Sequence, residues 1–175
     1  MPVDKNSIAS VPATSIKGRF YRLIRQRFAN EPLAMTGSLR EGGRYNVTGL
    51  FGALYLSFDK ETCQAEVTAG ILAGLPPKAK AYVLWDYEVS LKKVARLDDD
   101  DTCNLIGVTQ KEISVKGDHQ WATLIGLPLF TQDFEGLVAP SAQKPDGKCL
   151  DVFLDNVRSP STVKAKSRIE EWPPP

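Results

Sequence analysis

LREGGRYNVTGLFGALYLSFDKETCQAEVTAG, residues 39–70, is the stretch on which the reading of the chain turns. Glu41-Gly42-Gly43 predicts a turn, because paired glycines reach positive φ without a Cβ clash and admit another group close to the backbone. Arg44 follows directly. After a second break at Val47-Thr48-Gly49, the run from Leu50 to Phe58 is apolar and aromatic with Ser57 as its lone polar residue. That pattern predicts a largely buried strand containing Tyr55. Ser57 or Asp59 then offers an N-cap oxygen, and Lys60-Glu61-Thr62 forms a polar first turn. Cys63 to Leu75 reads as an alanine-rich helix that carries Glu66 and stops at Gly74-Leu75-Pro76-Pro77.

Arg44, Tyr55 and Glu66 stand at intervals of eleven residues, spread over a turn, a strand and a helix. Such a passage can bring a loop cation, a strand aromatic and a helix carboxylate to one cleft. There a guanidinium would grip phosphate in bidentate fashion, a ring would stack on a flat heterocycle, and a carboxylate would steady a developing positive charge. Together they suit a dinucleotide whose glycosidic bond is broken. Read residue by residue, the alternatives are ordinary: Arg44 as a turn cation, Tyr45 and Tyr55 as core aromatics, Glu66 as a solvent-facing helix residue.

The segments GGRYN, GALYLS, ETCQAEV and the later APSAQ resemble the RES domain, named for an arginine, a glutamate and a serine that map onto Arg44, Glu66 and Ser141. The resemblance runs from Phe20 to Asp155. It implies an α+β fold related to the ADP-ribosyltransferases, a mixed or antiparallel sheet with packed helices. It also implies a bacterial toxin that cleaves the nicotinamide N-glycosidic bond of NAD, as a glycohydrolase or phosphorylase, and is neutralised by an Xre-type antitoxin. A protein ADP-ribosyltransferase or a catalytically silent interaction domain are the alternatives. Carried over residue by residue, the match makes Glu66, Arg44 and Ser141 catalytic. It assigns NAD binding to Arg22 (in the pair Tyr21-Arg22), Arg44, Tyr45, Tyr55 and Ser141. Where the family more often has tryptophan after the motif arginine, Tyr45 keeps an aromatic wall. Outside this pattern Ser141 would be a turn serine. NAD is the implied substrate, with no metal, and water, phosphate or a protein side chain all remain as acceptors.

Composition bounds the rest. A length of 175 residues, 42% hydrophobic and 25% charged, fits one globular domain able to bury a core. Twenty-two basic and twenty-one acidic residues leave a net charge of +1, so no strong field points to nucleic acid or an anionic membrane. No apolar run approaches a membrane span and MPVDKNSIASVPATS lacks the apolar core of a secretion signal, making the cytoplasm the default location. The resemblance to the RES domain allows a homodimer or a toxin–antitoxin hetero-oligomer. Cys63, Cys103 and Cys149 show neither a disulfide frame nor zinc spacing, and His119 is the only histidine, which disfavours a His-rich metal centre and a Ser-His-Asp hydrolase.

Along the chain, residues 1–16 read as a flexible lead-in, 17–157 as the folded domain and 158–175 as a flexible tail, though Ile169 and Trp172 could dock on the body. GRFYRLIRQRF alternates cationic with apolar residues as a first strand, and Arg19, Arg25 and Arg27 read as a solvated edge. Asn30 to Ser38 reads as a loop, and AYVLWDYEVSL as a scaffold strand. Asp98 to Asp101 lacks the spacing of a calcium loop and reads as a solvated loop or the approach to a helix. Thr102 to Val115 is open between short helix and loop. His119 to Phe130 predicts a buried helix packed through Trp121, Leu124 and Ile125 and ended near Pro128. Phe134 to Ala139 and Cys149 to Leu154 predict further strands. No P-loop or GxGxxG fingerprint supports a Rossmann site.

Overall fold

Among the described residues, the longest strand is paired along both edges, and five others are ordered around it. The computed structural model describes residues 3, 5–70, 78 and 80–174. In chain order the helices are α1 (Lys5–Ile8), α2 (Thr36–Glu41), α3 (Lys60–Gly70), α4 (Asp100–Leu105), α5 (Gln110–Ile113) and α6 (Gln120–Thr131). The strands are β1 (Thr14–Arg25), β2 (Leu54–Ser57), β3 (Tyr82–Arg96), β4 (Gly136–Pro140), β5 (Lys148–Val152) and β6 (Thr162–Trp172).

One edge of β3 takes β1 antiparallel, with Gly18 opposite Val89 and Tyr21 opposite Asp86. The other takes β6 antiparallel, with Val163 opposite Val89, and then β4 parallel over Val94–Arg96. β5 lies antiparallel between β4 and β2, and β2 returns to β1 where Ser57 meets Tyr21. The order is therefore β1-β2-β5-β4-β3-β6, with the β1–β3 pairing closing a circuit of five strands and leaving β6 outside it. A mixed, mostly antiparallel sheet with packed helices is the α+β class read from the sequence.

The apolar residues sort by the period of each element. Leu54 and Leu56 of β2, Leu150 and Val152 of β5 and Val138 of β4 join Phe20, Tyr87, Val89 and Leu91 in one buried cluster, as alternate positions on a strand must share a face. A larger cluster gathers Ile8, Phe51, Leu97, Ile106, Ile113, Ile125, Leu129 and Phe153 beneath the helices, with the Phe51 and Phe130 rings stacked 4.1 Å apart. On α6 the buried residues are Ala122, Ile125, Gly126 and Leu129, a helical repeat. Leu124, expected in that stripe, is instead 38% exposed. Pro128 lies inside α6 rather than at its end; the Gln132 N–H closes the final turn on the Pro128 and Leu129 carbonyls.

Both chain ends correct the sequence reading. The supposed lead-in contributes α1, and Val3, Ile8 and Val11 are buried in the main core. The supposed tail is β6, which pairs with β3 from Ser90 to Tyr82, while Ile169 and Trp172 pack on Leu23, Cys63 and Leu84. The polar alternation taken for disorder is that of an edge strand with one wetted face, and its lysines discourage further pairing.

Smaller differences are local. β2 is shorter than the run from Leu50 to Phe58, and α2 begins within the stretch read as loop. The undecided segment holds α4, capped by Asp99 on Thr102 N–H, and α5, closed by a capping box of Thr109 and Glu112. Asp98 of the acid run is sequestered by Arg96 and Lys148, each at 2.7 Å. Arg19 is exposed, as read from the sequence, and also pairs with Asp86 at 2.7 Å. The end of the helix predicted to reach Leu75 lies outside the described residues.

α6 presses so closely on the motif loop that a Cβ at Gly126 would fall 1.7 Å from the Tyr45 carbonyl oxygen. Backbone cannot yield as a side-chain tip does. Gly126→Ala is therefore expected to destabilise the fold by about 3 kcal/mol or more, measured by chemical denaturation. Gly37→Ala, on an exposed helix with nothing within 4 Å of the added Cβ, should instead stabilise by about 0.5–1 kcal/mol.

Candidate active site

The face of β2 and β5 opposite their leucines and valines, continued by Ala139 of β4, forms the floor of a cavity. Tyr55 and Ser57 of β2, Cys149 and Asp151 of β5 and Ala139 of β4 all line it, and Tyr55 lies opposite Asp151 as Ser57 lies opposite Cys149. Arg22 of β1, Glu66 of α3, and Glu41, Gly43 and Arg44 around the motif turn close the sides, with His119 at the start of α6. The volume is about 630 Å³, within the range of roughly 300–1,000 Å³ typical of small-molecule sites.

Each predicted side chain has a definite holder. The Arg44 Nη1 donates to the carbonyls of Ile113, Val115 and Asp118 at 3.0, 3.2 and 3.1 Å, at and beyond the C-terminal end of α5, where carbonyls lack helical partners. The Arg22 Nη1 donates to the Pro32 and Ala34 carbonyls at 3.2 and 3.3 Å. Glu66 is placed by α3, whose first turn is fixed by Asp59: its two carboxylate oxygens accept from the Thr62 N–H at 2.7 Å and the Thr62 hydroxyl at 2.9 Å. Of the two caps offered by the sequence, Asp59 is the one used.

Tyr55 supports the motif loop as well as the floor. Its hydroxyl donates to Asn46 Oδ1 at 2.6 Å and accepts the Tyr45 N–H at 3.3 Å. Asn46 in turn donates to the Ser38 and Phe51 carbonyls. Gly43 is required by this closeness, since a Cβ there would sit 2.2 Å from the Tyr55 hydroxyl oxygen. Burial pushes the Tyr55 phenol well above its ordinary range, so it acts here as a neutral hydroxyl.

Two expectations change. Tyr45 borders the cavity but is only 1% exposed, and its ring belongs to the main core with a hydroxyl that has no hydrogen-bond partner. Of the two tyrosines expected to form an aromatic wall, Tyr55 is the half-buried one on the cavity floor. Ser141 was expected to touch a ligand, yet it does not line the cavity. Its hydroxyl donates to Glu66 Oε1 at 2.5 Å and accepts the Gln143 and Lys144 N–H groups at 3.1 Å each. The turn after β4 fixes the serine, and the serine bonds one oxygen of Glu66. No Ser-His-Asp arrangement forms around it, because the serine proton goes to Glu66.

Sequence reading missed Asp151. It is 2% exposed, and its Oδ1 is sealed from water without a hydrogen-bond partner. Burial raises its carboxyl well above the usual carboxylate range, the Glu66 charge adds to this, and the Arg44 guanidinium opposes it. A lone acid among the apolar residues of CLDVF was the available signal. Cys149 was also missed as a lining residue; its Sγ lies 4.0 Å from Glu66 Oε1, and burial pushes its thiol up. Partial burial and the Arg44 charge lower the His119 imidazole. Among the described residues, no group of three histidine, cysteine or acidic side chains could hold a metal ion, and no helix is long and apolar enough to cross a membrane.

A strand floor, a helix carboxylate held by a serine and two arginines anchored on carbonyls define a small-molecule-sized site on a mixed sheet. The family model of the RES domain matches residues 19–174, and the chain belongs to that family. The match takes in β6, the segment read as a tail. No curated protein sequence matches the chain. Among solved structures, it is similar to a chain of the M. tuberculosis MbcT–MbcA toxin–antitoxin complex, with a TM-score of 0.76 and 18% sequence identity over 94% of this chain and 90% of that one. At that identity the likeness establishes the fold.

The raised Asp151 carboxyl has a consequence for stability. Unfolded, the acid ionises in the ordinary range; folded, it holds its proton to higher pH. The folded state thus binds more protons between those two values, and stability falls as pH rises through them. Asp151→Asn removes this penalty. The stability of the variant relative to the parent is expected to grow as pH is raised from about 4 towards neutrality, measured by urea denaturation across that range. A difference independent of pH would contradict a protonated Asp151.

Proposed function

We propose that this RES-domain protein cleaves the bond between nicotinamide and ribose in NAD and serves as the toxin of a toxin–antitoxin pair. The observation that supports this reading most is that Arg22, Arg44, Tyr55 and Glu66, drawn from four separate segments, border one cavity in which Ser141 orients the carboxylate.

In this reading Arg44 and Arg22 hold the pyrophosphate. Among the described residues both arginines bond carbonyls through Nη1, and Nε and Nη2 are the donors proposed for phosphate oxygens. Tyr55 walls the nicotinamide end. As the C1′–N bond breaks, its electron pair leaves on the ring nitrogen, and nicotinamide departs neutral without needing a strong general acid. The difficulty lies in the cationic sugar left behind, and Glu66 lowers that barrier by placing a fixed negative charge beside it. Water or phosphate oxygen then bonds to C1′. Water gives ADP-ribose and a proton released to solvent; phosphate gives the corresponding ribosyl phosphate.

An antitoxin partner is proposed from the resemblance of the fold to a chain of a toxin–antitoxin complex; an Xre-type protein that covers the cavity or blocks access to it would neutralise the activity. Depletion of NAD would place the protein's action in the cytoplasm. Expression in bacteria is expected to lower cellular NAD and arrest growth within a few generations, and Glu66→Gln should abolish both effects. Unimpaired growth in cells that accumulate folded parent protein would argue against the toxin reading.

The chemistry is tested directly by incubating purified protein with NAD, with and without phosphate, and identifying the ribosyl product. Glu66→Gln keeps the size and the Ser141 bond but removes the charge. It is expected to reduce kcat by about 10²–10³-fold while KM moves much less. A loss confined to KM would overturn the assignment of Glu66.

A further inference from the structure

We infer that Tyr87 is a positioning residue for the anion grip: its hydroxyl fixes the Pro32 carbonyl on which Arg22 is anchored. The inference rests on the reading of Arg22 as a phosphate-binding residue and deepens it. Phe20 and Arg22 alternate along β1, and on β3 they stand opposite Tyr87 and Trp85. Phe20 and Tyr87 belong to a buried apolar cluster and Trp85 packs against it. A guanidinium rising beside such a cluster needs acceptors to hold it. Arg22 has two, the Pro32 and Ala34 carbonyls at 3.2 and 3.3 Å. Both belong to the connection between β1 and α2, where no sheet ladder fixes the backbone.

Tyr87 supplies the restraint. The residue is wholly buried, and its hydroxyl donates to the Pro32 oxygen at 2.7 Å, a shorter bond than either made by the arginine. A carbonyl oxygen has two lone pairs, so it takes both donors without competition. Packing of the core is served by the ring, which phenylalanine would also provide. What the hydroxyl adds is a bond from the central strand to the carbonyl that steers Arg22. At 3.2 and 3.3 Å the arginine bonds lie at the long end of the ordinary range, so a small shift of the Pro32 carbonyl would free the guanidinium and turn its other donors away from a ligand. A binding group is held in its productive geometry by the residues that support it from behind.

The test titrates the parent, Tyr87→Phe, Arg22→Gln and the double variant with inorganic pyrophosphate, at about 0.01 M ionic strength to keep weak binding measurable. Thermal unfolding confirms that each is folded, and the same samples are assayed for NAD cleavage. Tyr87→Phe is expected to weaken pyrophosphate binding by about three- to tenfold, and Arg22→Gln by about tenfold or more. The double variant should bind within about twofold of Arg22→Gln, because a residue that acts through Arg22 then has nothing left to position. With NAD, Tyr87→Phe should raise KM and leave kcat within about twofold. Losses that multiply in the double variant mean that Tyr87 serves the fold at large, and overturn the inference. So does binding by Tyr87→Phe within about twofold of the parent, failure of that variant to fold, or a parent that does not bind pyrophosphate. Where Arg22→Gln leaves no measurable binding, the single variant decides by the same threshold. The reading beneath it fails separately: a parent that binds pyrophosphate as described yet leaves NAD intact keeps the role of Tyr87 and loses the reaction. One that cleaves NAD with a KM indifferent to Tyr87→Phe keeps the reaction and loses the role.

Discussion

The two-residue period of a β-strand is the constraint from which this site follows. On β2 and β5 one face must be apolar because it lies against Phe20, Tyr87 and Val89, and the other face is then free to differ. Leu54 and Leu56 occupy the first face, and Tyr55 and Ser57 the second. Leu150 and Val152 repeat the division against Cys149 and Asp151. The registers Tyr55 to Asp151 and Ser57 to Cys149 align the second faces into one floor. A slip of a single residue would send both sets to the wrong side, so the packing of the core and the geometry of the cavity are fixed by the same hydrogen-bond ladder.

The motif loop is held to that floor by a chain of polar contacts rather than by apolar packing alone. Tyr55 bonds Asn46, Asn46 bonds the Ser38 and Phe51 carbonyls, and the Ser38 hydroxyl bonds the Ala53 carbonyl. From the other side, Thr123 of α6 donates to the Arg44 carbonyl at 3.2 Å. Arg44 itself ties the loop to the end of α5. Such a network is stable because each member is satisfied, and removing one leaves its neighbours buried without partners. The glycines on either side of this contact mark two close approaches: Gly43 leaves room for the Tyr55 hydroxyl, and Gly126 for the Tyr45 backbone.

Much of this was legible in the amino-acid order, and what was not has physical reasons. The turn at Gly42-Gly43, the strand with Tyr55 and the helix with Glu66 follow from local patterning, and the family pattern added Arg22 and Ser141. The pattern could not say that Ser141 lies behind Glu66 instead of on the cavity wall, because that depends on how the turn after β4 meets α3. Tyr45 and Tyr55 look alike in sequence, and only the position of α6 sends one ring into the core. β6 was hidden because an edge strand with one wetted face has the composition of a loose tail, and its stability comes from β3, far away in the chain. Asp151 was overlooked because LDVFLD reads first as a buried strand, where a single acid invites assignment to a solvent face.

The holders of the charged groups are themselves neutral, and this bears on what the site can do. Arg22 and Arg44 are anchored by peptide carbonyls, and Glu66 by a hydroxyl. Among the described residues none of the three belongs to an ion pair. A carboxylate holding either arginine would have fixed its position equally well, but the two charges would have cancelled. Dipoles orient a charged group without neutralising it, so its full charge remains for a ligand. Asp59, Asp86 and Asp98 show the contrast: each has a cationic partner, and each serves the scaffold. In the cavity Arg22, Arg44 and Glu66 keep their charges apart, as the proposed grip on an anionic pyrophosphate and steadying of a developing cation would require.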